Sequence, residues 1–162
     1  QQQQQQQQHG LPVRSQWLAL FEKAGQSREQ EQKQTTAEGA GLNGQTTMMI
    51  RNLPTTCTTR VLVEELCKIG FVGQFDFCYV PSNFATGEAP GFGFVNLTTH
   101  AIAEALREAW HGSRTFRSVR LPVSLNVTPA KVQGKEANVE GWKRQHRRKI
   151  KNGELRPFVA DV

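Results

Sequence analysis

With 162 residues, 20 Lys and Arg against 14 Asp and Glu, and 37% hydrophobic residues, the chain has the composition of about one domain with solvated ends. Its longest apolar runs, Met48-Met49-Ile50 and Val61-Leu62-Val63, fall far short of the roughly 20 residues of a membrane span, and no charged, apolar, small-residue leader opens it. The expectation is neither a membrane protein nor a secreted precursor. Three cysteines, Cys57, Cys67 and Cys78, suit neither a disulfide framework nor a CxxC metal pair. They point to reduced thiols and an intracellular setting, nucleus and/or cytoplasm.

Residues 1–8 are a glutamine tract with nothing to bury, expected to be disordered, and a first residue other than Met suggests a piece of a longer protein. Residues 17–21 form a short apolar cluster, and residues 26–45 read as a polar, then Gly-rich linker. Residues 1–45 are therefore taken as tail and linker.

Structure is expected from residue 46. Residues 47–53 read as a strand ended by Pro54. Thr58 or Thr59 caps a helix with Leu62, Leu66 and Ile69 on one face. Residues 75–80 are aromatic and β-branched, a second strand ended by Pro81, and residues 92–97 are a third. Thr98-Thr99 caps a second helix with Ile102, Leu106 and Trp110 at four-residue spacing, and Val123, Leu125 and Val127 alternate in a fourth strand. The order β-α-β-β-α-β predicts an α+β, ferredoxin-like sandwich over residues 46–130. Its four-stranded antiparallel sheet has two helices on one face, and the other face is bare of them.

Gly91-Phe92-Gly93-Phe94-Val95 is the most informative run. In a strand, Phe92 and Phe94 share one face and Gly93 and Val95 the other. Counting back from Pro81 puts Phe77 and Tyr79 on the same open face as Phe92. The run matches five consecutive positions of the eight-residue signature of the RNA-recognition motif, with Pro90 in place of its leading basic residue and Leu97 in place of its final aromatic. Residues 48–53 correspond to the second, six-residue signature, with Met49 at a position where an aromatic is usual. Five stretches, residues 47–54, 75–81, 91–96, 130–135 and 156–157, together resemble the C-terminal RNA-recognition motif of the Mei-two-like meiosis regulators over roughly residues 46–159. In that family Met at the second signature position is usual, and the motif extends past its fourth strand. The resemblance implies single-stranded RNA binding in proteins that act in meiosis or development.

The chain's excess charge is local. Residues 131–151 hold eight basic and two acidic side chains, net +6, equal to the whole chain's net charge. A helix over residues 135–151 would carry Val139, Trp142, His146 and Ile150 on one stripe, with Lys143, Arg144, Arg147, Arg148 and Lys151 beside it. Residues 143–151 also resemble a nuclear-import signal. Residues 131–162 thus read as a basic helical extension, expected to dock beside the sheet and extend a phosphate track, since an inhibitory lid needs no such charge. The candidate RNA-binding residues are Met49, Arg51, Asn52, Phe77, Tyr79, Phe92 and Phe94 on the sheet and those five cations. Replacing both Phe92 and Phe94 by alanine is expected to weaken RNA binding by about 2–5 kcal/mol and to leave folding intact. Nothing suggests catalysis, a metal or a cofactor: no His pair stands at i, i+4, there is no P-loop, and Gly91-x-Gly93 lacks the third glycine of a dinucleotide loop. The expected unit is a monomeric RNA-binding domain with a possible protein partner. The alternative is a protein-interaction domain of the same fold, with an occluded sheet and a peptide as its partner.

Overall fold

The computed structural model describes residues 44–160, apart from 84–85, 147–149 and 151. In chain order the elements are β1 (Thr47–Arg51), α1 (Thr59–Lys68), β2 (Phe75–Tyr79), β3 (Phe92–Leu97), α2 (His100–Trp110), β4 (Thr115–Phe116), β5 (Val119–Arg120), β6 (Asn126–Pro129), α3 (Lys135–Gln145), a 3-10 turn (Gly153–Leu155) and β7 (Phe158–Val159). The main sheet runs β6-β1-β3-β2-β7 with every neighbour antiparallel, and β4 and β5 form a separate hairpin. The expected β-α-β-β-α-β order is present as β1, α1, β2, β3, α2 and β6.

Capping explains where the two helices behind the sheet begin. The Thr58 hydroxyl accepts from the Val61 N–H at 3.2 Å, and the Thr99 hydroxyl accepts from the Ile102 N–H at 3.3 Å, each satisfying a donor that the first turn leaves open. Leu62 and Leu66 of α1 and Ala103, Leu106 and Trp110 of α2 are buried against Met48, Ile50, Cys78, Val80, Val95, Leu97 and Val127 of the sheet. Ile69, expected on that stripe, is the C-cap of α1 and is exposed, because the helix ends one residue before it. Gly93 faces this layer too. A Cβ there would lie 3.0 Å from Val80 Cγ2 and 3.1 Å from Leu62 Cδ2, so the glycine lets α1 approach β3 closely.

Three features differ from the expected fold. The fourth strand begins at Asn126 rather than near Val123, which is exposed; the chain before it is occupied by the β4–β5 hairpin. That hairpin turns at Arg117 and Ser118, both with positive φ (52° and 63°), a conformation for which Gly or Asn is the usual signal. It is tied down by the Arg117 N–H, which donates to Glu65 Oε1 at 3.3 Å, and by Phe116, packed on Trp110 at 5.7 Å between ring centroids. Secondly, β7 adds a fifth strand to the edge of β2, and Phe158 packs on Phe75 at 5.4 Å. Thirdly, the C-terminal helix is shorter than expected and ends at Gln145.

Cys57, Cys67 and Cys78 are free thiols, and Cys78 is fully buried. Burial pushes Cys57 up to about 12 and drives Cys78 well above the ordinary thiol range. A thiol reagent at neutral pH should therefore label half-buried Cys67 first and reach Cys57 and Cys78 only on unfolding, as timed mass measurements would show. Early labelling of Cys78 would mean that β2 does not turn that side chain toward the helices.

Candidate nucleic-acid interface

The face of the sheet turned away from α1 and α2 is organised in rows by the strand register. Tyr79, Phe94, Met49 and Thr128 stand across from one another in the middle row; Phe92, Arg51 and Asn126 form the next, and Phe77, Asn96 and Thr47 the one on the other side. A register shift between Phe75 and Phe77 makes the β2 contribution possible: it turns Phe75 to the helix side and leaves Phe77 and Tyr79 on this face. Phe92 and Phe94 meet edge-on, with centroids 5.8 Å apart and planes at 82°. The alternation read from the sequence is correct for Phe77, Tyr79, Phe92 and Phe94, which with Met49 form one cluster, separate from the core behind the sheet.

That cluster is covered. Phe77, Tyr79 and Phe92 are each 1% exposed and Phe94 4%, with Val139 and Trp142 of α3 packed against the group. The helix therefore lies over the sheet, not beside it as its charge suggested. The rings form an apolar surface that α1 and α2 leave uncovered, and the half-buried apolar stripe of α3 packs there, while Lys143 and Arg144 face solvent. Arg144 pairs with Glu140 at 3.3 Å. Ile150, expected on the same stripe, comes after the helix has ended, and its carbonyl accepts from Arg156 Nε and Nη2 at 3.1 and 2.6 Å. Arg147, Arg148 and Lys151 lie outside the described residues.

The extension is fastened at its start by Gln133, which lies in the 130–135 stretch that carries the family resemblance but was given no role of its own. Its Oε1 accepts from the N–H groups of Thr46 and Thr47, both at 2.9 Å, and its Nε2 donates to the carbonyls of Thr47 and Ala130 at 2.9 and 2.7 Å. All four bonds that a side-chain amide can make are thus directed at backbone. Gly134 follows with φ of 88°, a left-handed turn that starts α3, and its N–H donates to the Thr47 hydroxyl at 2.9 Å. Asn138, 1% exposed, donates from Nδ2 to the carbonyls of Gly134 and Val132 at 2.7 and 3.2 Å and to the same hydroxyl at 3.4 Å. The Thr47 hydroxyl in turn donates to Asn96 Oδ1 at 2.7 Å, and Asn96 Nδ2 donates to Asp76 Oδ1 at 2.7 Å.

The far end of α3 is held differently. Trp142 stacks on His146 at 5.0 Å, and both rings meet Tyr79 edge-on at 6.4 and 6.3 Å. The Tyr79 hydroxyl, the Trp142 indole nitrogen and Gln145 Oε1 are buried, none of them in a well-aligned hydrogen bond. Burial pushes the Tyr79 phenol up to about 12, against a smaller opposing pull from a weak side-chain hydrogen bond with Trp142.

Arg51 and Asn52 take different parts. Arg51, half-buried on the open face, donates from Nη1 to the Thr128 hydroxyl at 2.8 Å, and Asn126 beside it buries an Oδ1 with no partner. Asn52 has φ of 66° and donates to the Ser124 carbonyl at 2.8 Å, so it turns the chain out of β1 and braces the approach to β6.

Residues 45–143 match the family model described as RNA recognition motif 2, which takes in β1 to β6, the Gln133 clasp and most of α3. The chain belongs to the RNA recognition motif 2 family. Protein MEI2-like 3 and Protein MEI2-like 1 of Arabidopsis thaliana are 30% and 31% identical to it over 99 and 102 residues, each match covering 60% of this chain. Those matches cover 12% and 10% of the two relatives, so the chain spans about a tenth of their length. The resemblance to the Mei-two-like regulators thus holds for this RNA recognition motif. Among solved structures, the two RNA recognition domains of Sex-lethal from Drosophila melanogaster match at a TM-score of 0.43 and 25% identity, over 52% of this chain and 49% of that one.

Proposed function

We propose that this domain binds single-stranded RNA on the aromatic face of its sheet, as an intracellular, non-catalytic, post-transcriptional regulator. One observation carries the reading. In a chain of the RNA recognition motif family, four aromatic rings and Met49 converge on a single sheet face, where flat bases can stack. Arg51, Lys143 and Arg144 supply positive charge for phosphates around that face. The cations in residues 147–151 belong to the same basic run.

The test is a binding titration with a random-sequence single-stranded RNA pool at several salt concentrations. Binding should weaken as salt rises, by a log–log slope of roughly 0.7 per phosphate contact on a single strand. No binding at low salt, or binding indifferent to salt, would overturn the proposal. The burial of Phe77, Tyr79, Phe92 and Phe94 favours a second reading, in which the face is permanently closed and the partner is a peptide. Salt-insensitive capture of an apolar peptide, with no RNA retained, is the result that reading expects.

A further inference from the structure

We propose that the β4–β5 ribbon, through Arg117 and Arg120, is a second phosphate-binding surface that holds the backbone of an RNA strand after it leaves the sheet. The inference rests on the RNA-binding reading above and extends the bound strand beyond the aromatic face.

The ribbon is a local concentration of cations. Arg114, Arg117 and Arg120 fall within seven residues, and residues 109–135 contain no Asp or Glu. Arg60 and Arg107 each pair with a glutamate of their own helix, Glu64 at 3.0 Å and Glu104 at 2.9 Å. Among the described residues no carboxylate pairs with the guanidinium of Arg117 or Arg120, and both side chains are exposed. Arg114 is turned back along the ribbon and donates to the Pro122 carbonyl at 3.1 Å.

Strand pairing sorts the ribbon's side chains. Thr115 stands opposite Arg120 and Phe116 opposite Val119, and directly opposed residues share a face. Phe116 is buried against Trp110, so its face is turned inward and Thr115 and Arg120 point outward. Arg117 and Ser118 form the tip. Outer face and tip together present two guanidinium groups and two hydroxyls, while the exposed Val119 belongs to the other face. A protein interface is built around a desolvated apolar or aromatic centre, which this surface lacks. A phosphodiester backbone needs none, because guanidinium forks and hydroxyls match its oxygens.

The tip is held against its own backbone preference. Arg117 and Ser118 have φ of 52° and 63°, a region where Gly or Asn folds with less strain. The turn is fixed there by the Arg117 N–H, which donates to Glu65 Oε1 at 3.3 Å, and by the Leu121 N–H, which donates to the Arg114 carbonyl at 2.7 Å. A long cation and a hydroxyl thus occupy positions where Asn-Gly would serve the fold better. The ribbon is also tethered to the right end of the sheet. Residues 121–125 lead from it to Asn126, the first residue of β6, which stands opposite Arg51. Asn52 braces that connection by donating to the Ser124 carbonyl at 2.8 Å. The six residue steps from Arg120 to Asn126 span at most about 22 Å, so a strand leaving the aromatic face past Arg51 has this surface nearby.

The test measures binding of a random-sequence single-stranded RNA pool as salt is raised. The pool is about 20 nucleotides long, more than the two or three bases that a sheet of this kind stacks. Arg117→Gln with Arg120→Gln removes both cations and should flatten the log–log salt slope by roughly 1.4, twice the 0.7 of one phosphate contact on a single strand. Arg117→Asn with Ser118→Gly installs the residues the turn prefers. It should raise the melting temperature and yet weaken RNA binding, flattening the slope by roughly 0.7, a combination that a purely structural tip does not produce. Arg107→Gln, whose guanidinium is already held by Glu104, should leave the slope unchanged.

An unchanged slope in either ribbon variant would overturn the proposal. So would an equal flattening in Arg107→Gln, because overall charge and not the ribbon would then be responsible. Retention of poly-glutamate by the wild type but not by the double-glutamine chain, with the RNA slope unmoved, would assign the ribbon to an acidic protein segment instead. No RNA binding by the wild type at low salt would sink the RNA reading itself, and this proposal with it.

Discussion

Phe92→Ala is expected to cost the folded domain about 3–5 kcal/mol, the range for truncating a buried aromatic ring. From the sequence, replacing Phe92 and Phe94 together should have spared the fold, because neither ring faces the helices behind the sheet. That orientation is correct, but the inference from it is not. Both rings are buried in a second apolar cluster under α3, at 1% and 4% exposure, so each truncation leaves a cavity between helix and sheet. Small domains are stable by about 5–15 kcal/mol in total, so the double variant should sit close to unfolding. Urea unfolding of the two single variants measures the cost. The same substitutions in a Trp142→Ala background should cost less, because the cover that makes the site a core is already weakened, and contacting residues couple by about 0.5–3 kcal/mol. A loss below about 1 kcal/mol for Phe92→Ala in the intact chain would mean that α3 does not lie on the sheet.

The reversal shows which parts of the molecule were legible. Strand alternation is a local property, so the faces of Phe77, Tyr79, Phe92 and Phe94 followed from their spacing and from Pro81. Thr58 and Thr99 were legible as caps because their signal lies within four residues of the bond they make. The cover was half legible. Val139 and Trp142 announce that α3 buries one side, but an apolar stripe does not say against what, and the local charge suggested the wrong site. The decisive consideration was the apolar area left over on the sheet, which outweighs cations that can remain in water on the outer side of the helix. Gln133 carries no local signal at all. Three of its four bonds go to the backbone of Thr46 and Thr47, more than eighty residues away, and any side-chain amide would look the same in the sequence. The β4–β5 turn was illegible for the opposite reason. Arg117 and Ser118 adopt positive φ against their own preference, in a hairpin held by Glu65 and Trp110. β7 is two residues long, too short for any periodicity to appear.

The clasp and the cover also divide the energetic roles within the C-terminal extension. Residues 133–138 are stabilised by directional bonds to backbone, which are lost all at once or not at all. Residues 142–146 are stabilised by ring contacts, which weaken gradually and can be exchanged for other rings. The contacts that Trp142 makes with Tyr79 are of this second kind, whereas the four bonds of Gln133 fix donor to acceptor one by one. The ring contacts of the cover can therefore be probed apart from the clasp.

Tyr79 offers a direct reading of those contacts, because it is the sole tyrosine in the sequence. Its phenol should titrate in the near ultraviolet at about 12 rather than at the ordinary 10, since burial beneath Trp142 and His146 penalises the phenolate. The consequence for stability has a definite sign. Between about 10 and 12 the unfolded chain releases a proton that the folded chain keeps, so this group makes the fold less stable as pH rises through that window and contributes nothing below it. Trp142→Ala should bring the midpoint down toward 10, a shift approaching two units, as water reaches the hydroxyl. Rapid-mixing pH jumps monitored by absorbance separate this titration from alkaline unfolding. A wild-type midpoint near 10, with far-ultraviolet circular dichroism still native, would show that the phenol is already in water and that the aromatic face stands open in the free protein.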